Sequence, residues 1–508
     1  MTFFESLLAL LGIAIVLLQV ARRSGIPYPA LLAGAGVALA WIPGAPVIAL
    51  DPHTALALFI APVLIDAAYD FPVGTAQRLW RPLFALAVIA VLLSAGVVAW
   101  LGMTWAGLPF YAALALGAIV APPDAAAATA ISGSVRMPRR TVAVLKGESL
   151  LNDAAALLLF STAILIQSHG GVDASLVLTV SLAAPGGIAL GFALAWIMRR
   201  VQPLVWGTLS GNILQFVTGF GAWLLAERLH LSAVLCLVTF AMTIARSAGL
   251  ATPPRARIHD FAVWDSAVFL LNVFAFLLMG FQARTIIGAM SAARLADAAW
   301  FAGAVVASLI VVRLAWVLFY NRVAHHFPRL RGDVSPARFG EGVLVGWCGM
   351  RGLVTLATAF ALPAQFPQRD LIVLTAFAVV LATLVVQGLT LAPLVRRLRL
   401  DGDDGLGEEL ARARREMAEA ALTALRDSGG PAADHWRWGY RLKLTNDAAT
   451  TAQKRSLGLA AIRHQRERLE ALRDAQRVGA DAFLVLQEEL DFAEVSLRTE
   501  EERRIEEA

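Results

Sequence analysis

Cysteine, lysine and charge are all scarce in this chain of 508 residues. The two cysteines, Cys236 and Cys348, both fall inside apolar runs, which gives neither a disulfide framework nor a metal-binding spacing. No lysine occurs between Lys146 and Lys443, so the net charge of +5 is made by arginine. Membrane topology explains that excess better than nucleic acid does. Only 16% of the residues are charged against 58% hydrophobic, and the mean hydropathy is +0.67. That balance excludes a soluble globular protein. No G-x-x-x-x-G-K loop followed by Ser or Thr is present, so nothing points to ATP as a driver. The start, Met1-Thr2-Phe3-Phe4-Glu5, lacks a basic head and a cleavage site. Its apolar run therefore reads as a retained first helix rather than a signal peptide.

What the chain does have is apolar runs, about thirteen of spanning length. They cover residues 3–20, 27–41, 53–68, 83–101, 108–131, 141–166, 175–198, 206–225, 231–245, 261–281, 299–320, 342–362 and 371–394. Loops after odd-numbered runs hold about sixteen arginines and those after even-numbered runs about four, so the positive-inside rule puts the N-terminus outside and the C-terminus in the cytoplasm.

The polar residues inside the runs are few and clustered. Lys146-Gly147-Glu148-Ser149-Leu150-Leu151-Asn152-Asp153 heads the sixth run. A charge at mid-bilayer costs roughly 2.5–3.5 kcal/mol on insertion scales, so function is the default reading. Helical spacing puts Glu148 and Asn152 on one face and Ser149 and Asp153 on the adjacent one. A hydroxyl one turn from a carboxylate offers two oxygen ligands to a small hard cation. The competing reading is a polar cluster that glues helices together.

Two runs are broken. The fifth contains Ala121-Pro122-Pro123-Asp124, and paired prolines cannot both sit in an unbroken helix. The twelfth contains Gly346-Trp347-Cys348-Gly349-Met350-Arg351-Gly352. Kinking and close packing are the plain readings of such prolines and glycines. Their offset of seven runs, however, makes two inverted halves joined by the seventh, and matched interruptions in inverted halves point to a transporter's ion site. Asp124 then starts the second half of a split helix, where unpaired amides stabilise its charge.

These elements resemble those of the bacterial NhaP-type sodium/proton antiporters, relatives of the animal sodium/proton exchangers. Gly147 to Asp153 is similar to the family's sixth-helix signature, and Pro123-Asp124-Ala125 to its fifth-helix break. Gly349-Met350-Arg351-Gly352-Leu353-Val354-Thr355-Leu356-Ala357 is similar to the Gly-x-Arg-Gly-x-Val-Ser-Leu-Ala element. Pro62 to Ala67 and Leu225-Ala226-Glu227 with Ser232 to Leu235 match as well, so the resemblance covers the whole membrane part in order. It implies an all-α polytopic membrane protein of about thirteen transmembrane helices, two inverted six-helix repeats with helices 5 and 12 broken, in the NhaA-like antiporter fold.

The resemblance also implies roles. Asp153 alternately binds cation and proton; Asp124, Ser149, Asp66 and the carbonyl of Pro123 complete the ion's oxygen shell. Glu148 pairs with Arg351 in a structural ion pair, and Asn152 supports the crossing of the broken helices. Pro123 stands where many members have Thr, so a carbonyl but no hydroxyl is available there. Ala233 replaces a frequent Gly, a packing matter. An Asn-Asp pair at 152–153, with no lysine in the tenth run, resembles the one-for-one, electroneutral branch. Sodium is the expected cation, with potassium and lithium as alternatives. The implied protein is a homodimer of the bacterial inner membrane serving pH and sodium homeostasis. Lipid surrounds it, and it uses no cofactor, ATP or nucleic acid.

Other polar residues keep two readings. Arg313 is an ion partner or a snorkelling side chain. Asp265 and Asn272 are interhelical hydrogen-bonding groups or line the ion path. His325-His326 reads as solvated, and Cys348 as inert. Asp401-Gly402-Asp403-Asp404-Gly405 is a flexible linker that divides a membrane domain, 1–400, from a helical cytoplasmic tail, 401–508. Helical periodicity covers 408–426, 449–477 and 480–508 of that tail, and both a regulatory appendage and a solvated hairpin fit it. A sodium-coupled symporter of an organic solute is the alternative function, but no second polar cluster offers it a pocket. An intramembrane aspartyl protease using Asp124 and Asp153 leaves Glu148 and Arg351 unexplained, so the chain reads as no enzyme.

Overall fold

A computed structural model describes residues 3–24, 28–40, 52–124, 137–205, 208–251, 254–331, 336–400, 405–444, 448–499 and 502. Among these there is no strand. Two compact units divide the chain, Met1–Gly402 and Asp403–Glu507.

The first unit is a bundle of α1 (Phe3–Ser24), α2 (Tyr28–Ala40), α3 (Pro52–Tyr69), α4 (Val73–Trp105), α5 (Phe110–Val120), α6 (Arg139–His169) and α7 (Ala174–Val201). It continues with α8 (Leu209–Arg228), α9 (Ala233–Ala251), α10 (Pro254–Ala289), α11 (Ala292–His326), α12 (Phe339–Trp347), α13 (Leu353–Phe360) and α14 (Arg369–Leu398). Each apolar run of the sequence overlaps a described helix, the twelfth overlapping two. Several helices overrun their apolar part, as α10 and α11 do, because the backbone stays helical where water can meet polar ends. The second half of the fifth run lies outside the described residues, as does the split-helix start expected after Asp124.

Local chemistry sets the ends. Asp173 caps α7, its Oδ1 accepting from the N–H of Leu176 at 2.8 Å, and that bond with the Ser175 hydroxyl holds its carboxyl below the usual carboxylate range. Gly170, at φ 71°, ends α6 in the left-handed region that glycine tolerates. Within α4, Pro82 removes one N–H and residues Ala85–Ile89 follow as a π-helical turn. The Ala85 carbonyl accepts from the Trp316 indole of α11 at 2.9 Å.

Polarity is inverted relative to a soluble protein. Glu148, Asn152, Asp153, Arg313, Arg351 and Gln387 are buried, whereas Ile15, Trp100, Trp105, Phe192 and Trp196 are exposed. Six of the described helices are long and apolar enough to cross a membrane. With no hydrophobic drive between helices in lipid, contact depends on close backbone approach. The α2–α10 pair shows this: a Cβ at Gly36 would lie 2.4 Å from the Leu277 carbonyl oxygen, and one at Gly280 2.5 Å from that of Ala33.

The second unit holds α15 (Gly405–Ala424), α16 (Pro431–Leu444), α17 (Ala448–Asp474) and α18 (Ala480–Leu497), with α15 on α16 and α17 on α18. Periodicity alone gives no helix at 431–444, although Pro431 in the first turn and Asp434 are start signals. It also carries the last helix to 508, whereas Arg498 is extended, with ψ 151°.

Candidate functional site: the crossing of two broken helices

The polar turn of α6 is buried: Glu148, Asn152 and Asp153 are 1%, 0% and 5% exposed. Beside it, α5 stops at Val120 because Pro122 and Pro123 have no N–H to continue it. Opposite, α12 stops at Trp347 and α13 starts at Leu353. The two interruptions meet. The N–H of Asp124 donates to the Met350 carbonyl at 2.7 Å, and Asn152 Nδ2 donates to the Pro123 carbonyl at 2.6 Å.

Each broken end is capped by a charge from the other chain segment. Arg351 donates from Nε to the Val120 carbonyl at 3.0 Å, from Nη2 to Ala121 at 3.2 Å and from Nη1 to Gly349. A cation thus sits at the carboxyl end of α5, where helix carbonyls lack partners. Reciprocally, Asp124 Oδ2 accepts from the N–H of Leu353 at 3.3 Å, an anion at the amino end of α13. Only glycine fits before Leu353, since a Cβ at Gly352 would lie 1.7 Å from Asp124 Oδ2. Thr383 of α14 accepts from the Arg351 N–H at 3.1 Å.

This arrangement corrects the expected Glu148–Arg351 pair. Glu148 is held by Arg313 of α11, Nη1 to Oε1 at 2.5 Å and Nη2 to Oε2 at 2.9 Å. Arg313 Nη2 also reaches the carbonyls of Val345 and Cys348, at 3.1 and 3.3 Å. The reason is competition for donors: Arg351 lies in the break itself, and three carbonyls with no helical partner claim it. Glu148 therefore takes the other buried guanidinium. Of its two readings, Arg313 has that of ion partner and does not snorkel.

Asp124, Ser149 and Asp153 line one cavity of about 40 Å³, together with Tyr28 and Asn272. That volume holds about three water-sized spheres, room for a small cation and little else. Two carboxylates and a hydroxyl around such a space suit a hard monovalent ion. Asp66 is half-buried on α3 and does not line the cavity, although its neighbours Val63 and Ala67 do. Among the described residues the Pro123 carbonyl accepts from Asn152 alone, which leaves one of its two lone pairs. Asn272 lines the cavity and Asp265 does not.

A membrane bundle in which the end of one helix meets the break of another beside a buried carboxylate fits the architecture of secondary ion transporters. The chain belongs to the sodium/hydrogen exchanger family, whose transmembrane model matches residues 7–397. An uncharacterized sodium/proton exchanger of Mycobacterium tuberculosis is 30% identical over 97% of this chain and 95% of its own length. A sodium, potassium, lithium and rubidium/proton antiporter of Bacillus pumilus is 28% identical over 91% of this chain and 73% of its own. Among solved structures, the sodium proton antiporter MjNhaP1 from Methanocaldococcus jannaschii superposes with a TM-score of 0.59 at 18% identity, over 78% of this chain and 99% of that one. The fold is thus that of an antiporter, and the protein is a multi-pass membrane transporter.

Proposed function

We propose that this protein exchanges sodium for protons, one for one, by alternating exposure of Asp153 to the two sides of the bacterial inner membrane. The observation that carries the reading is the joint lining of one small cavity by Asp153, Ser149 and Asp124 where the two interruptions meet. A proton and a cation exclude each other at one carboxylate, and a site open to one side at a time converts that competition into exchange. Asp124 stays charged as the cap of α13, with the second lone pair of the Pro123 carbonyl and the Asp66 carboxylate in supporting places. Asn152, which cannot titrate, holds the crossing. On this reading residues 1–400 are the antiporter, built of two inverted repeats, and 401–508 are a cytoplasmic tail. The N-terminus lies outside, the unit is a homodimer, and the exchange serves pH and sodium homeostasis. Sodium, rather than potassium or lithium, follows the relatives' names only in part, since the Bacillus pumilus relative is named for four alkali cations. A cavity of this volume gives the symporter alternative no place for an organic solute.

The test is exchange in proteoliposomes carrying a pH dye, driven by sodium, potassium or lithium gradients. Asp153→Asn is nearly isosteric and cannot exchange a proton, so it should abolish flux in a folded protein; flux near the wild-type rate would remove Asp153 from the role. Voltage should have no effect on the equilibrium pH difference, whereas 100 mV contributes about 2.3 kcal/mol for each net charge moved. A shift with clamped voltage would assign a second proton to Asp124 or Asp66.

A further inference from the structure

The cavity has two unlike walls. One is made of α6, the α5 break and the start of α13, and it carries Asp153, Ser149 and Asp124. The other is made by α2, α3 and α10, of which α2 and α10 are joined backbone to backbone at Gly36 and Gly280, and it carries no charge at the cavity. Its polar residues there are Tyr28 and Asn272. Asn272 is partly buried, and among the described residues its side chain has no hydrogen-bond partner. Its neighbours on α10 offer none: Phe276, one turn on, lines the same cavity, and Phe269 packs its ring on Tyr28 at 5.9 Å between centroids.

A primary amide that lines the cavity without a protein partner must be met there by water or by an ion. As helix glue it would be bonded to the facing carboxylates, and neither Asp124 nor Asp153 is bonded to it. A cation between the two walls meets that need, because hard cations take amide carbonyl oxygens together with carboxylates and hydroxyls. An amide oxygen also differs from a carboxylate in being blind to protons at neutral pH. It strengthens cation binding without adding a titrating site, which leaves a one-for-one exchange intact.

We propose that the side-chain oxygen of Asn272 is a ligand of the transported cation, supplied from α10 rather than from the elements that carry Asp153, Ser149 and Asp124, and that it tunes cation affinity without touching the proton. This rests on the reading of Asp153 as the exchange site. The test is proteoliposome exchange by Asn272→Leu, which keeps the γ-branched shape and removes the oxygen, and by Asn272→Asp, which keeps an oxygen in place. KM for sodium should rise about tenfold or more in Asn272→Leu, the scale of one lost bond to a charged partner, with kcat little changed. Asn272→Asp should bring KM back to the wild-type value or below it. An unchanged KM for sodium, potassium and lithium in Asn272→Leu overturns the proposal, as does a fall in kcat alone. If Asn272→Leu does not fold, Asn272→Ala is judged by the same KM criterion, with sodium-dependent thermal protection of the detergent-solubilised protein as a second readout. Asp153→Asn measured alongside separates the two failures. Exchange persisting there sinks the site itself, whereas loss there with an unchanged KM in Asn272→Leu sinks the ligand alone.

Discussion

Arg313 in the membrane unit and Arg466 in the tail each hold two carboxylate oxygens at similar distances. Arg313 grips Glu148 with side chains 3% and 1% exposed. Arg466 of α17 grips Asp491 and Glu494 of α18, at 2.8 and 2.9 Å, with 32%, 55% and 24% exposed. The geometry is alike, and water makes the difference. An exposed pair exchanges its partner for solvent at little cost, so its worth is near 0–1 kcal/mol. In the membrane unit no solvent waits, and a partner left alone is an uncompensated buried charge. Polar contacts in the two units therefore have different jobs: in one they are conditions of folding, in the other adjustable surface contacts.

The largest break in this contrast comes from Glu148→Gln or Arg313→Met. Each should destabilise by about 3–5 kcal/mol, read as a fall in melting temperature in detergent. The double neutral variant should be less damaging than the sum; full additivity would mean that the two side chains do not touch. Next comes Gly352→Ala, whose new methyl must push the Asp124 carboxylate from the amino end of α13. Exchange should fall on the order of tenfold to a hundredfold while the protein stays folded, since misplacement of a site group by about 1 Å costs that much. Gly96→Ala, with nothing within 4 Å, is the control and should leave the rate unchanged. A normal rate in Gly352→Ala would show that Asp124 need not be held where it is.

The smallest effect is expected in the tail. Arg466→Ala should cost under about 1 kcal/mol and less at high salt, measured by hydrogen exchange of the α17 and α18 amides in the full chain. Arg498 and then Arg466 hold the Glu494 carboxyl below its ordinary range. Its contribution is therefore present above the ordinary glutamate pKa and lost as pH falls through the depressed one. Exchange in the variant should match wild type at low pH and exceed it at neutral pH. Equal protection at both would mean that the pair contributes nothing.

Much of this was legible in the chain. Apolar length marks the helices, because a spanning segment must satisfy its backbone internally. Paired prolines and clustered glycines mark both breaks, and the polar turn of α6 stands out by its cost. Partner choice was not legible. Glu148 has two buried arginines to choose from, and only the place of Arg351 among the freed carbonyls of Val120, Ala121 and Gly349 decides it. Asp124 was legible as a helix cap, but the helix it is seen to cap is α13, some 229 positions away in sequence. Asp66 carries the right chemistry, yet a helix face one residue round turns it from the cavity. In the tail, the aromatic and basic residues of α16 blur the periodicity that marks a helix.

The reciprocal capping has a consequence for how the chain is made. Val120 and Arg351, joined at 3.0 Å, are 231 positions apart. At roughly 5–20 residues per second, the carboxyl end of α5 leaves the ribosome about 10–45 s before its guanidinium exists. Through that interval its carbonyls must be met by water, by lipid headgroups or by the insertion machinery. The newborn first half is an incomplete membrane solute that only the last helices can finish, and a nascent chain arrested before Arg351 should be a preferred target of quality-control proteolysis.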